Sequence, residues 1–132
     1  MPILYLDTNI FIRAIVNDDQ QKHLETTAMF RSLVSGKKSA ETNVIIITEI
    51  IYVLTSKALY QLTNSDAVSK VMPFVLINNL EIAEKNLLIT ALSVFAENNL
   101  DFVDCWIAAK VKSNTNYKIF SYDKKLEKLV KG

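Results

Sequence analysis

Four carboxylates occupy positions from which they could share one job: Asp7, Glu49, Asp104 and Asp123. Asp7 follows the apolar run 3–6 and Asp123 follows the alternating run 117–121, so each closes an expected strand and precedes an expected helix. In α/β proteins ligands bind outside the carboxyl ends of the strands, where both acids fall. Asp104 lies in the first turn of a third helix, and Glu49 inside the largely apolar stretch 44–54, where a charge needs a partner or a metal. Singly, each has an ordinary explanation. Asp7 and Asp123 suit helix caps, Asp104 suits a helix dipole, and Glu49 suits a solvent edge beside Thr48 and Tyr52. Asp101 opens its segment and reads as a cap. If the four converge, their repulsion must be relieved by protonation or by a bound cation, and hard oxygen donors select Mg²⁺ or Mn²⁺ over zinc.

Other chemistries lack their parts. His23 is the sole histidine, so neither a histidine-pair ribonuclease nor a Ser-His-Asp triad has support. Cys105 is the sole cysteine, which excludes an internal disulfide and a Cys-rich zinc site and points to a reducing compartment. Both read as structural or incidental. No basic segment followed by a long apolar run opens the chain. No stretch approaches the roughly 18 apolar residues of a spanning helix. The expectation is a cytoplasmic protein without membrane contact. The 132 residues suffice for one domain, 1–132, with a hydrophobic core and no disulfide staples.

Fifteen Lys and Arg nearly balance fourteen Asp and Glu, but unevenly. Residues 1–109 carry 8 basic and 12 acidic groups, whereas 110–132 carry seven lysines against Asp123 and Glu127. Such an end suits a polyanion held beside an acidic site, or simply a solvated terminal helix.

These residues need a scaffold, and the patterning supplies one. A buried strand at 3–6 leads into a helix over 10–16 with Thr8 or Asn9 as cap. A helix over 20–35 closes at Gly36, and 37–42 is a short strand or loop. Residues 43–59 have strand propensity yet are too long for a strand, so they read as a helix capped by Thr42 or Asn43. Asn64 or Ser65 caps a helix running to about 78, with Pro73 a kink or early stop. A strand at 80–83, helices over 84–98 and 101–113, a last strand at 117–121 and a basic helix over 124–131 complete the chain. Short strands between helices, with no tight hairpin signal, require crossovers. The class is α/β: a mainly parallel sheet of four to five short strands covered by helices on both faces.

Four motifs resemble those of PIN-domain nucleases, and among them the small VapC-type toxins of toxin–antitoxin pairs. They are Leu6-Asp7-Thr8-Asn9, Thr48-Glu49-Ile50-Ile51-Tyr52-Val53-Leu54, Asp101-Phe102-Val103-Asp104-Cys105-Trp106-Ile107-Ala108-Ala109 and Phe120-Ser121-Tyr122-Asp123. Their order and spacing extend the resemblance over nearly the whole chain. It implies a metal-dependent endoribonuclease with Asp7, Glu49, Asp104 and Asp123 as catalytic and metal-holding acids, and Thr8, Asn9 or Ser121 as polar helpers. It further implies Mg²⁺ or Mn²⁺, an RNA substrate, an antitoxin that occludes the acids, and a homodimer. Lys110, Lys124 and Lys125, with Lys112, Lys118 and Lys128, are then candidates to track the RNA backbone. Trp106, where the pattern usually has a small residue, suits packing between helices more than base stacking. The rivals are a nuclease-like scaffold that binds RNA or protein without cutting, and a Mg²⁺-binding receiver domain. The receiver needs an acidic pair after its first strand, where Asp7 stands alone.

Overall fold

The computed structural model describes residues 2–132. Three short strands, β1 (Leu4–Tyr5), β2 (Ala40–Thr42) and β3 (Leu80–Ile82), form a parallel sheet in the order β1-β2-β3. Leu4 stands opposite Ala40, and Ala40 opposite Leu80. Among the described residues seven helices flank it: α1 (Thr8–Ile15), α2 (Gln20–Val34), α3 (Val44–Thr55), α4 (Asn64–Val75), α5 (Lys85–Glu97), α6 (Phe102–Lys112) and α7 (Lys124–Lys131). Helices in pairs join consecutive parallel strands, as the crossover argument requires.

The expected strand over 117–121 does not form. Its alternation has β propensity, but Phe120 is 88 % and Tyr122 93 % exposed, and only Ile119 and Ser121 are half-buried. With no apolar face to bury, the segment runs irregularly from α6 to Asp123, and the sheet has three strands rather than four or five.

Helix positions follow the apolar spacing, with ends set by caps. Asp7, not Thr8 or Asn9, caps α1: its Oδ1 accepts from the Ile10 N–H at 3.3 Å. Asn43 caps α3 by accepting from the Ile46 N–H at 2.9 Å. That helix stops at Thr55, short of 59, because Ser56 turns extended and accepts from the Gln61 N–H at 3.0 Å. Thr63, one residue before the expected cap, starts α4, and Pro73 lies inside its last turn, two residues before the helix ends. Lys85 donates to the Ile77 and Leu80 carbonyls at 2.9 and 2.6 Å, tying α5 to the connection before β3. Burial pushes its pKa below the ordinary value, opposed by Glu81.

The core is one cluster, with Ile47, Ile50, Ile51 and Leu54 of α3 fully enclosed. Phe11, Phe30 and Phe74 pack together, with Phe74 edge to face against the other two at 6.1 and 4.6 Å and Phe11 tilted on Phe30 at 5.3 Å, joining α1, α2 and α4. Trp106 packs against this core, as its bulk suggests. No helix is long and apolar enough to cross a membrane, among the described residues.

Candidate functional site

Asp7 sits where β1 delivers the chain to α1. Leu6 is tied to β2 by two bonds, its N–H donating to the Glu41 carbonyl at 2.9 Å and its carbonyl accepting from Thr42 Oγ1 at 3.0 Å. The next residue is therefore placed firmly at the strand's carboxyl end, and capping engages one Asp7 oxygen while the residue stays exposed. Thr8, buried at 9 %, donates its hydroxyl to Glu49 Oε1, joining the start of α1 to the middle of α3. Glu49 is exposed on the side of α3 turned from the core, so the hydroxyl fixes one carboxylate oxygen and leaves the other toward solvent. Asn9 is exposed beside it.

A second neighbourhood forms at the start of α6. Asp104 is half-buried in its first turn, and its pKa is raised, first by burial and then by the negative charges of Asp123 and Asp101. Asp123 caps α7, its Oδ1 accepting from the Lys125 and Leu126 N–H groups at 2.9 and 3.2 Å. Ser121 Oγ accepts from the Asp123 N–H at 3.0 Å and so shapes the turn that presents this acid. Asp101 occupies the cap position of α6 yet makes no side-chain capping bond. The sequence reading as a cap is thus half right: the position holds, but the carboxylate is free to face Asp104. Nothing in the local sequence distinguishes the two.

The second neighbourhood opens onto a groove of about 730 Å³ between α3 and the start of α6, whereas Asp7 lines a separate pocket with Asn9, Arg13 and Lys22, and Glu49 and Asp123 line neither. Asp104 and Asp101 line one wall, and Thr48, Tyr52 and Thr55 of α3 the other, with Lys57 and Asn64 at the end. The α3 wall is a polar stripe at i, i+4 and i+7 on an otherwise apolar helix, a spacing that sequence reading passes over. The four expected acids do not close into a ready-made cage: among the described residues no three Asp, Glu, His or Cys side chains gather as a metal-holding group.

Among the described residues the ion pairs are Arg13 with Asp18, Lys22 with Asp19 and Lys110 with Glu84, so none engages Asp7, Glu49, Asp101, Asp104 or Asp123. The donor set is all oxygen, and Asp104 carries unrelieved like-charge repulsion. This chemistry fits a hard divalent cation such as Mg²⁺ or Mn²⁺. The lysines divide. Lys110 is bound to Glu84 and lies 5.7 Å from the Tyr117 ring centre, which occupies it within the fold. Lys124 and Lys125 are exposed beside Asp123. Cys105 is buried and its thiol is pushed up to about 11, first by burial and then by Asp104 and Asp101, so it stays protonated and inert at neutral pH. His23 Nδ1 lies 3.0 Å from the Arg13 carbonyl, a structural tie between α1 and α2.

The arrangement is a parallel α/β fold with Asp7 after β1 and oxygen-donor carboxylates at the starts of α6 and α7. Comparison with known families matches residues 4–132 to the PIN domain, and the chain belongs to that family, whose members are generally metal-dependent nucleases. No curated protein and no solved structure matches the chain.

Proposed function

We propose that this chain is a metal-dependent endoribonuclease and the toxin of a toxin–antitoxin pair. One observation carries the reading: in a PIN-family chain, Asp101 and Asp104 line a groove, Asp123 lies within electrostatic reach of Asp104, and no basic side chain is paired to any of the three. Asp7 and Asp104 hold Mg²⁺ or Mn²⁺, and Glu49, oriented by Thr8, and Asp123, oriented by Ser121, complete or steer the set. A bound divalent ion supplies a water nucleophilic near neutral pH and stabilises charge on the scissile phosphate. The protein's part is to hold the carboxylates and keep their lone pairs directed by cap and hydroxyl bonds.

The toxin role follows the VapC-like motifs. Carboxylates without cationic partners suit an antitoxin that inserts a basic side chain among them. A homodimer is part of the same reading and rests on the same motifs.

The test is cleavage of RNA by the purified chain with Mg²⁺ or Mn²⁺. EDTA should abolish it, and Asp7→Asn and Asp104→Asn should each lower the rate about a hundredfold or more with the circular dichroism spectrum unchanged. Cleavage surviving EDTA and both substitutions overturns the assignment. RNA binding without scission at any metal concentration identifies a silent binding module instead. Induced expression should arrest growth, and Asp7→Asn should relieve the arrest. End-mapping of the cut RNA then identifies the target.

A further inference from the structure

The segment that fails to form a strand exposes two aromatic rings to water at the edge of the acidic site. Phe120 and Tyr122 are 88 % and 93 % exposed, more than any other large apolar side chain among the described residues. Their centroids are 6.1 Å apart at an interplanar angle of 77°, so they stand together rather than wandering separately. Ser121 lies between them and orients Asp123 through the 3.0 Å bond to its N–H. Exposed lysines bracket the pair: Lys118 on one side, Lys124 and Lys125 on the other.

An exposed aromatic pair leaves apolar surface in water that an interaction partner can cover. A nucleobase supplies a flat π-face, and the flanking lysines match the phosphates that follow it, the combination by which proteins hold single strands without reading sequence. From these features we propose that Phe120 and Tyr122 form a stacking platform for single-stranded RNA, with Lys118, Lys124 and Lys125 engaging the adjacent backbone. The platform seats a strand beside Asp123, within electrostatic reach of Asp104. This proposal rests on the ribonuclease reading for its purpose and assigns the stacking role to Phe120 and Tyr122 rather than to Trp106, whose ring packs on the core.

The experiment measures binding apart from cleavage. A short fluorescein-labelled oligouridine is titrated into the full chain carrying Asp104→Asn, in EDTA, and followed by anisotropy. Phe120→Ala and Tyr122→Ala should each weaken binding about tenfold, the scale of one lost base stack. Phe120→Tyr and Tyr122→Phe should stay within about twofold of the parent, and duplex RNA should be insensitive to all four. In the same background Tyr122→Trp should add indole emission that the oligouridine quenches, which a purely structural residue would not do. Alanine variants that bind as tightly as the parent overturn the platform. So does a Phe120→Ala/Tyr122→Ala double variant that turns a dimer into a monomer at unchanged RNA affinity, since the rings then join two copies of the chain. Loss of affinity in a chain that never cuts RNA keeps the platform and removes the nuclease reading. Efficient cutting with unaltered affinity does the reverse.

Discussion

Asp104 is an acid whose protonation is coupled to folding. Burial, then Asp123, then Asp101 raise its pKa above the ordinary value, so the folded state binds its proton more tightly than the unfolded chain does. By linkage, stability falls as pH rises from the unfolded value through the folded one, and the penalty is complete above both and absent below both. Asp104→Asn is therefore expected to raise the Tm at neutral pH while removing activity, with the difference from the parent closing once the carboxylates are protonated. Mg²⁺ should raise the parent's Tm more than the variant's. Thermal unfolding across a pH series, with and without the metal, checks both. Thr8 is the complementary case, a buried hydroxyl whose bond orients Glu49. Thr8→Val keeps the shape but loses the bond, and a cost of about 1 kcal/mol is expected in urea unfolding, with Thr8→Ser restoring it. The position of Asp7 was legible in the sequence because it follows an apolar run that ends a strand, whereas Asp123 follows a run that forms no strand and is placed instead as the cap of α7. The freedom of Asp101 was not legible, since a cap that bonds and one that does not share the same local pattern.

At the scale of elements, helix ends carry the arrangement. Gly36, at φ 81°, follows α2, with its N–H donating to the Leu33 carbonyl at 3.1 Å and the Lys37 N–H to Ser32 at 2.9 Å. This pair of bonds closes the helix and turns the chain into β2, next to β1 and hence to Asp7. A Cβ there would meet Asn79 Nδ2 at 3.6 Å, an ordinary contact, so Gly36→Ala pays only for the left-handed backbone. About 1 kcal/mol is expected, read as a lower denaturation midpoint at unchanged m-value. Helices were legible because three-and-four spacing marks a buried face whatever the fold, as Ile47, Ile51 and Leu54 do in α3. Segment 117–121 was misread because alternation reports propensity, whereas a strand also needs a neighbour and a covered face. Phe120 and Tyr122 have neither.

Across the whole molecule the charge is divided, and the division gives the polyanion a direction. Asp101 and Asp104 stand unpaired at the groove and Asp123 caps α7 within electrostatic reach of Asp104, while seven of the fifteen basic residues lie in 110–132. On the proposed reading an RNA strand would be drawn to the basic end and meet the carboxylates at Asp123, where α7 begins. Lys110 is withheld from this role by Glu84, leaving Lys118, Lys124 and Lys125 exposed on either side of Asp123 in the sequence. Each phosphate neutralised on a single strand contributes about −0.7 to the slope of log affinity against log salt. Replacing the three lysines by glutamine in the Asp104→Asn background should flatten that slope by about 2, with little change in Tm because all three are surface residues. Lys110→Gln should leave the slope nearly unaltered. A slope that ignores the triple substitution would place the strand on another face and detach the basic end from the acids, because the charge that draws RNA in must be the charge that salt screens.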